Sequence, residues 1–355
     1  MDYTANNCIN SNNDIQTVSN DLSFIYPVFA KSTTAAPFSI TSFVIFNSPV
    51  PITYTSSNLA VATILGTTVT IQGLGSTTIT ASQLASANGI YSAGVATILL
   101  GVVNIVTGVN GITIQYVGDP GFVPASSPLF VQSNPRGTGL EWFAVVKDGM
   151  RQAITNYAMG LPGSSIPFTP PEQTLPVPFN NIVTTLMTDM SSIFRNDNNF
   201  NQNINAWDTS NVTNMSSMFE SAFAFNQPIG TWNTSNVTNM SFMFVNANVF
   251  NQPIGAWNTS NVTNMSSMFD NTFAFNQSIA SWNTSNVTNM YRMFHRATAF
   301  NQPIGTWNTS NVTNMSIMFT SAFLFNQPIG AWNTGAVTNM GGMFNNARAF
   351  NSPIG

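Results

Sequence analysis

Side chains that could carry out acid–base or metal chemistry are scarce in this chain of 355 residues. Its single histidine, His295, lies between Arg292 and Arg296, and its single cysteine, Cys8, lies near the N-terminus. One cysteine excludes an internal disulfide framework and a cysteine-based zinc site, and one histidine excludes multi-histidine metal sites. We therefore expect neither a metal nor a cofactor.

Arg292, His295 and Arg296 form the only basic cluster in the C-terminal half. One interpretation is a contact point for an acidic partner; the other, which we favour, is a solvated patch at variable positions. His295 is a poor candidate for a catalytic base, because the sequence shows no serine, cysteine or carboxylate placed to work with it. Only nine charged residues occur in 179–355, and they are scattered. No carboxylate pair shares a credible site, so we predict that the chain is not an enzyme.

Three other patterns resemble functional motifs but have simpler explanations. Met-x-x-Met pairs could bind soft metals, yet beside aromatic residues they are more typical of core filler. Glycosylation sequons recur in most repeats, for example at Asn233, Asn236 and Asn239. We interpret these asparagines as ladder residues, since bulky sugars on stacked columns would block stacking. Gly73-Leu-Gly75 and Gly137-Thr-Gly139 lack the spacing and context of a phosphate-binding loop.

Charged residues make up only 6% of the chain, against roughly 25% in an average soluble domain. Asn, Thr, Ser and Gln take their place, which suits stacked ladders and close packing against neighbours. The net charge of −4 gives no basic surface for nucleic acid. The first residues, MDYTANNCINSNNDIQ, have no basic region followed by an apolar run, so we expect no secretory signal there.

The strongest signal is a 25-residue repeat that runs from about Phe179 to Gly355 without insertion or deletion. Such a period predicts a solenoid of about seven turns. Each repeat buries about six large apolar residues at roughly 2 kcal/mol each, less than the cost of ordering 25 residues at about 1 kcal/mol or more apiece. A single repeat therefore cannot fold alone. The tryptophan column consists of Trp207, Trp232, Trp257, Trp282, Trp307 and Trp332.

Within one repeat, the segment Asn-Val-Thr-Asn-Met has β character, and Met-Ser-Ser-Met-Phe-Glu-Ser-Ala has helical spacing. We therefore predict one or two short parallel strands and a helical turn in each repeat. Two segments compete for the main sheet. Proline in Phe-Asn-Gln-Pro-Ile removes one donor per turn, which favours Val-Thr-Asn-Met, whereas analogy with leucine-rich repeats favours Phe-Asn-Gln-Pro-Ile.

The N-terminal half predicts an all-β fold. Residues 1–36 are polar and Asn-rich, which predicts a flexible arm or an edge-pairing segment. Residues 37–118 alternate β-branched and apolar residues in short runs that indicate a β-sandwich. The pattern YTSSN–AVAT–G–TVTI–G–G–TTITAS within Pro51–Ser82 resembles the bacterial Ig-like group 2 module of surface proteins. That resemblance implies a spacer or contact platform without catalysis. The apolar stretch Ala96–Gly118 favours strands and a hairpin at Asn110-Gly111 over a membrane span.

Residues 119–178 connect the two halves. Apolar residues at helical spacing predict a helix around 147–159, which we expect to cap the first repeat. Six prolines within Pro162–Pro178 predict an extended linker.

The consensus W-N-T-S-N-V-T-N-M-S-x-M-F-x-x-A-x-x-F-N-Q-P-I-G resembles the BspA-like, mycoplasma-lipoprotein-type surface repeat, a divergent leucine-rich repeat. The resemblance covers residues 179–355 and implies surface display, adhesion or protein interaction. The family occurs in bacterial surface proteins and in large DNA viruses of protists.

Two functions follow from these features. The first is a structural component on the surface of a virus particle, spike-like or associated with the capsid, because virions assemble without an export signal. The alternative is a bacterial adhesin or interaction protein at the cell surface. In both cases we expect protein partners, a homo-oligomer or surface assembly, and host receptors or glycans as further ligands. We also expect the stack end at Gly355 to meet a partner, another copy or further chain.

Overall fold

The computed structural model describes residues 18–26, 28–171 and 173–354. Cys8, half of the predicted N-terminal arm and Gly355 lie outside these residues. The chain divides into two compact units. Unit 1 comprises residues up to 105 together with 117–122 and 129–141, and unit 2 comprises 106–116, 123–128 and the chain from 142 onward.

The fold is mainly β, with one α-helix among the residues described, α1 at Arg151–Ala158. No helix in that part of the chain is long and apolar enough to cross a membrane. The strands are β1 Ser23–Phe24, β2 Val28–Ser32, β3 Phe38–Ser39, β4 Val44–Ile45, β5 Ile52–Ser56, β6 Ala62–Leu65, β7 Thr68–Ile71, β8 Gly75–Gln83, β9 Gly94–Thr107, β10 Ile114–Val117, β11 Leu129–Ser133, β12 Glu141–Lys147 and β13 Ile182–Leu186.

Unit 1 contains a small sheet in which β1 pairs antiparallel with β4, and two larger sheets that share a core. In one sheet β8 lies antiparallel between β5 and β9, and β2 pairs with β9 in parallel. In the other sheet β7 lies antiparallel between β3 and β6. Phe29, Val69, Ile79 and Ile98 come from both sheets and pack in one buried cluster. The short strands predicted from alternation in residues 37–118 are thus found, among them β5, β7 and β8.

The apolar stretch predicted as strands forms β9 and β10, with Asn110-Gly111 in the turn between them. Gly111 has φ +69°, a left-handed conformation that glycine adopts without strain.

In unit 2, α1 precedes the repeats. It is shorter than the helix predicted around 147–159. β12 pairs with β13 in parallel, so that Ala144 lies beside Ile182. Tyr157 of α1 stacks on Phe179 with ring centroids 4.7 Å apart, and Phe179 packs edge-on against Phe194 of the first repeat. These rings cover the first repeat, as expected of a capping segment.

The proline-rich segment is not extended in the part that the structure describes. Ile166–Phe168 forms a 3₁₀ turn, and the N–H of Val177 donates to the carbonyl of Phe168 at 2.9 Å. Phe168 is fully buried and stacks on Tyr157 at 5.0 Å. The prolines therefore punctuate a packed segment, because Phe168 and Val177 bury apolar surface that a free linker would leave in water.

From Phe179 onward, successive repeats lie one upon another; we call residues 179–354 the repeat stack. One parallel β-bridge joins each repeat to the next, at Asp189, Asn214, Asn239, Asn264, Asn289, Asn314 and Asn339. The Val-Thr-Asn-Met segment therefore carries the ladder, as the proline argument favoured. Phe-Asn-Gln-Pro-Ile is joined by side chains instead: the N–H of Asn226 and the Nε2 of Gln227 both donate to Oδ1 of Asn201 at 3.0 Å.

The helical turn predicted in each repeat is wrong. In Met215–Ala222 the N–H groups of Ser217 and Phe219 donate to carbonyl oxygens of the following repeat, both at 2.9 Å. Ser217 and Ser221 have φ values of +56° and +60°, which a right-handed helix does not allow. Tight turns replace the helix because alternate N–H groups bond to the following repeat rather than along the same segment.

The core of the repeat stack consists of aromatic columns. Phe219 lies 5.6 Å from Phe244 and Phe225 lies 5.9 Å from Phe250, each nearly parallel to its neighbour. Trp257 Nε1 donates to the carbonyl of Ile229 at 3.0 Å, which satisfies the polar atom of a buried ring. Met215 and Met218 are fully buried, which confirms that the Met-x-x-Met pairs are core residues.

Candidate functional site

The basic cluster predicted from the sequence lies in the fifth repeat, where its side chains have different fates. Arg292 and Arg296 occupy the two left-handed positions of that repeat, with φ values of +54° and +55°. Arg296 is exposed, and no ion pair to it is found in the part of the chain that the structure describes.

Arg292 and His295 instead converge on Asp270, a residue of the preceding repeat. The Nδ1 atom of His295 lies 2.6 Å from Oδ1 of Asp270, and Nε of Arg292 lies 2.9 Å from Oδ2. The second distance supports an ion pair, although the Nε–H is not directed along a hydrogen bond. The side chain of Asp270 is only 7% exposed. Arg292 and His295 therefore pair with an acid of the chain itself, whereas the favoured interpretation placed them in a solvated patch.

The sequence argument that no carboxylate accompanies His295 is wrong. Asp270 lies 25 residues before His295, in the same column of the repeat, and a comparison down the columns would have found it. The same column carries Arg195 and Glu220, which form an ion pair at 3.0 Å across neighbouring repeats. No hydroxyl or thiol side chain hydrogen-bonds to His295 among the described residues. The arrangement holds two repeats together and offers no nucleophile.

The sequon asparagines also bond from one repeat to the next. Nδ2 of Asn236, the atom that a sugar would modify, donates to the carbonyl of Ser210 at 2.6 Å. Oδ1 of Asn233 and Oδ1 of Asn239 each accept a backbone N–H two residues later, at 3.0 Å. The side chain of Asn236 is thus a ladder group, whereas those of Asn233 and Asn239 bond within their own repeat.

A polar cleft of about 330 Å³ lies where α1 meets the first repeat, lined by Asp148, Arg151, Gln152, Thr155 and Ser191 among others. Arg151 is paired with Asp189 and also donates to Ser191 at 3.0 Å. Burial opposes ionisation of Asp189, but hydrogen bonds from Ser191 and Arg151 outweigh it and lower the pKa of that carboxyl. The charged groups of the cleft are thus occupied in fastening α1 to the repeat stack.

Another group of side chains is more available. Phe223 and Phe273 are 41% and 43% exposed, and Phe323 lies two repeats further on in the same column, half-buried. We call these three residues the phenyl row. In the next column Val249 and Leu324 are exposed as well. Sequence reasoning missed this row because it considered only the invariant columns, whereas these residues alternate with polar ones.

No group of three or more His, Cys, Asp or Glu side chains that could hold a metal ion occurs within the described ranges. A family model described as "Mycoplasma protein of unknown function, DUF285" matches residues 172–271 and 252–355. The two matches together span just over half of the chain. No curated protein and no solved structure matches it.

Proposed function

Because the chain belongs to the DUF285 family of mycoplasma proteins of unknown function, we propose that it is a non-enzymatic protein of the bacterial cell surface that contacts other molecules through its repeat stack. The family supports the cell-surface alternative of the sequence analysis over the virion role. We propose proteins and glycans as the partners, and assembly with further copies of the chain.

At the level of the fold, we propose that the repeat stack is a leucine-rich-repeat-like solenoid and that unit 1 is Ig-like. The parallel bridges at 25-residue intervals support the first assignment. The two antiparallel-rich sheets around one core support the second, since an Ig-like domain is a sandwich of this kind. Both folds serve as scaffolds that present surface side chains.

The observation that carries the proposed function is that invariant residues hold each repeat in place while several variable residues are exposed. Invariant residues are buried, as Trp257 and Phe275 are, or bond to a neighbouring repeat, as Asn236 does to the preceding one. Several positions that differ between repeats, such as Phe223 and Arg296, reach the surface. A repeat stack built this way keeps a fixed frame and varies what it presents, which suits recognition rather than catalysis.

The proposal is tested by immunolabelling of intact cells of the organism that encodes the chain. Antibodies against the repeat stack should label intact cells, and permeabilisation should add little signal; a cytosolic protein serves as control. Trypsin shaving is a poor substitute, because the chain contains only 8 Lys and Arg residues. Labelling that appears only after permeabilisation would refute a surface role.

A further inference from the structure

The phenyl row differs from every other aromatic column of the repeat stack. Buried columns carry a ring in each repeat, and neighbouring rings stack, as Phe269 and Phe294 do at 5.7 Å. The column of the phenyl row carries a ring only in every second repeat. Its members in chain order are Asn198, Phe223, Asn248, Phe273, Thr298, Phe323 and Arg348.

Core packing does not explain this alternation. Phe223 and Phe273 are among the exposed large apolar side chains, and no aromatic ring packs on either of them among the residues described. The fold does not require a ring at this position, because Asn248 and Thr298 fill it in the intervening repeats. Exposed apolar side chains in a regular row are typical of binding surfaces.

Backbone hydrogen bonds fix the spacing of the row. The N–H of Ala274 donates to the carbonyl of Asn248 at 3.2 Å, and that of Ala299 donates to Phe273 at 3.3 Å. Hydrogen-bonded β backbones lie about 4.8 Å apart, so rings in every second repeat are about 10 Å apart. The row is thus a rigid, evenly spaced array rather than a set of mobile side chains.

The residues between the rings are neutral hydrogen-bonding groups. Thr298 directs its hydroxyl to the carbonyl of Phe273 at 3.4 Å. The side-chain amide nitrogen of Asn248, in the orientation that satisfies its hydrogen bonds, donates to the backbone carbonyls of Asn246 and Asn271 at 3.1 Å. The single charge in the column is Arg348, which lies 4.8 Å from the ring of Phe323 at the end of the row. The complementary partner is therefore polar, uncharged and repetitive.

We propose that the phenyl row binds a linear, uncharged β-1,4-linked glycan. In such a chain each sugar is rotated by half a turn relative to the one before, so equivalent C–H faces recur once per disaccharide. That disaccharide is about as long as two repeats of the stack. Alternate sugars would lie on phenyl rings, and the intervening sugars would meet Asn248 and Thr298. The proposal deepens the surface role proposed above and rests on it.

The test uses the full-length chain and isothermal titration with cellohexaose and chitohexaose, each long enough to meet all three rings. We expect one or both to bind, and the corresponding tetraoses to bind more weakly because they reach fewer rings. Maltohexaose, an α-linked hexaose that coils, should not bind.

Phe273→Ala should weaken binding about tenfold, and the double variant Phe223→Ala/Phe273→Ala should abolish it. The matched control is Phe242→Ala, because Phe242 is 41% exposed but lies outside the row. That variant should bind like the parent chain. Because Phe242 and Phe273 are 41% and 43% exposed, their two single variants should melt cooperatively and at temperatures that differ little from each other.

Failure of both hexaoses to bind the parent chain overturns the proposal, as does unchanged affinity of Phe273→Ala. Sedimentation that shows a dimer lost on Phe273→Ala would assign the row to a second copy instead. The surface role fails separately, when antibodies label only permeabilised cells. The glycan proposal fails alone when intact cells are labelled but neither hexaose binds.

Discussion

At the scale of single residues, the charges of the repeat stack pair along columns. Asp270 and His295 occupy the same column in neighbouring repeats, as do Arg195 and Glu220. The first pair is largely buried, with Asp270 7% and His295 13% exposed. The second is open to solvent at Arg195, which is 50% exposed. Burial decides how much each pair matters, because water screens the exposed one.

Asp270→Ala should destabilise the protein by about 2 kcal/mol, since it leaves Arg292 and His295 without their shared acid. Chemical denaturation followed by circular dichroism measures this change. The control is Glu220→Ala in the same column, which should cost less than about 1 kcal/mol because that pair is exposed. Equal effects of the two substitutions would show that burial does not distinguish the pairs.

Asp197 is the one buried acid whose column is otherwise occupied mostly by alanine, as at Ala222 and Ala247. It is 7% exposed, and its Oδ2 has no hydrogen-bond partner among the described residues. Burial raises the pKa of Asp197 above its ordinary value, and backbone N–H groups of Asn199 and Phe200 only partly offset it. The folded state therefore holds this proton more tightly than the unfolded chain.

Asp197→Ala should stabilise the protein by about 1 kcal/mol at pH 7, because it removes an unpaired buried oxygen. Tighter binding of the proton to Asp197 stabilises the folded parent chain at low pH. That stabilisation should be lost as pH rises from the ordinary carboxyl pKa through the raised pKa of Asp197. The gain from Asp197→Ala should thus be smaller at pH 4 than at pH 7, by denaturation at both values. A loss of stability at pH 7 would contradict this account.

Asp189→Asn is a control, because the stability contributed by Asp189 changes with pH in the opposite direction to that of Asp197. The lowered pKa of Asp189 contributes stability that is present above its ordinary pKa and is lost as pH falls through the lowered value. Asp189→Asn should therefore destabilise the protein at pH 7 and have less effect in acid.

At the scale of elements, the segment Met215–Ala222 shows that helical spacing of apolar residues does not guarantee a helix. Met215, Met218 and Phe219 have the i, i+3, i+4 spacing of an apolar helix face. Two left-handed residues per repeat turn the chain instead, and one of them is Ile317 with φ +62°. A β-branched residue in that conformation is strained.

Substitutions at Ile317 isolate that strain. Ile317→Gly and Ile317→Ala remove the same branched side chain, but only glycine adopts positive φ freely. The glycine variant should be more stable than the alanine variant by about 1 kcal/mol in chemical denaturation. At Ala322, which has no positive φ, replacement by glycine should destabilise the protein by a similar amount. The reverse order at Ile317 would exclude left-handed strain as a cost.

At the scale of the whole molecule, the repeat stack depends on equivalent residues of successive repeats packing against one another. Deletion of 25 residues, 240–264, joins Asn239 to Met265 and preserves that match. We expect this variant to keep the far-ultraviolet circular dichroism of the parent and to unfold at lower denaturant, because one interface between repeats is lost.

Deletion of the half-repeat 240–252 is the control. It joins Asn239 to Pro253, so that polar columns meet aromatic ones at the junction. This variant should lose its single cooperative transition and expose apolar surface. Similar stability of the two deletions would mean that column identity does not hold the stack together.

The sequence of the repeats was enough to predict their period and their buried columns, and it narrowed the ladder to two candidate segments. Those follow from apolar spacing and from the missing donor of proline, which are local properties. The sequence did not predict the tight turns of Met215–Ala222, because alternate N–H groups of that segment bond to the next repeat. It also failed to pair His295 with Asp270, since the contact crosses from one repeat to another.

The phenyl row shows the same division. The sequence shows that Phe223, Phe273 and Phe323 recur every 50 residues, but it does not distinguish them from the buried rings two positions later. Only the tertiary structure makes that distinction: Phe225 and Phe275 are fully buried, whereas Phe223 and Phe273 are not. Local spacing thus determines which residues repeat, while the stacking of one repeat on the next decides which of them water can reach.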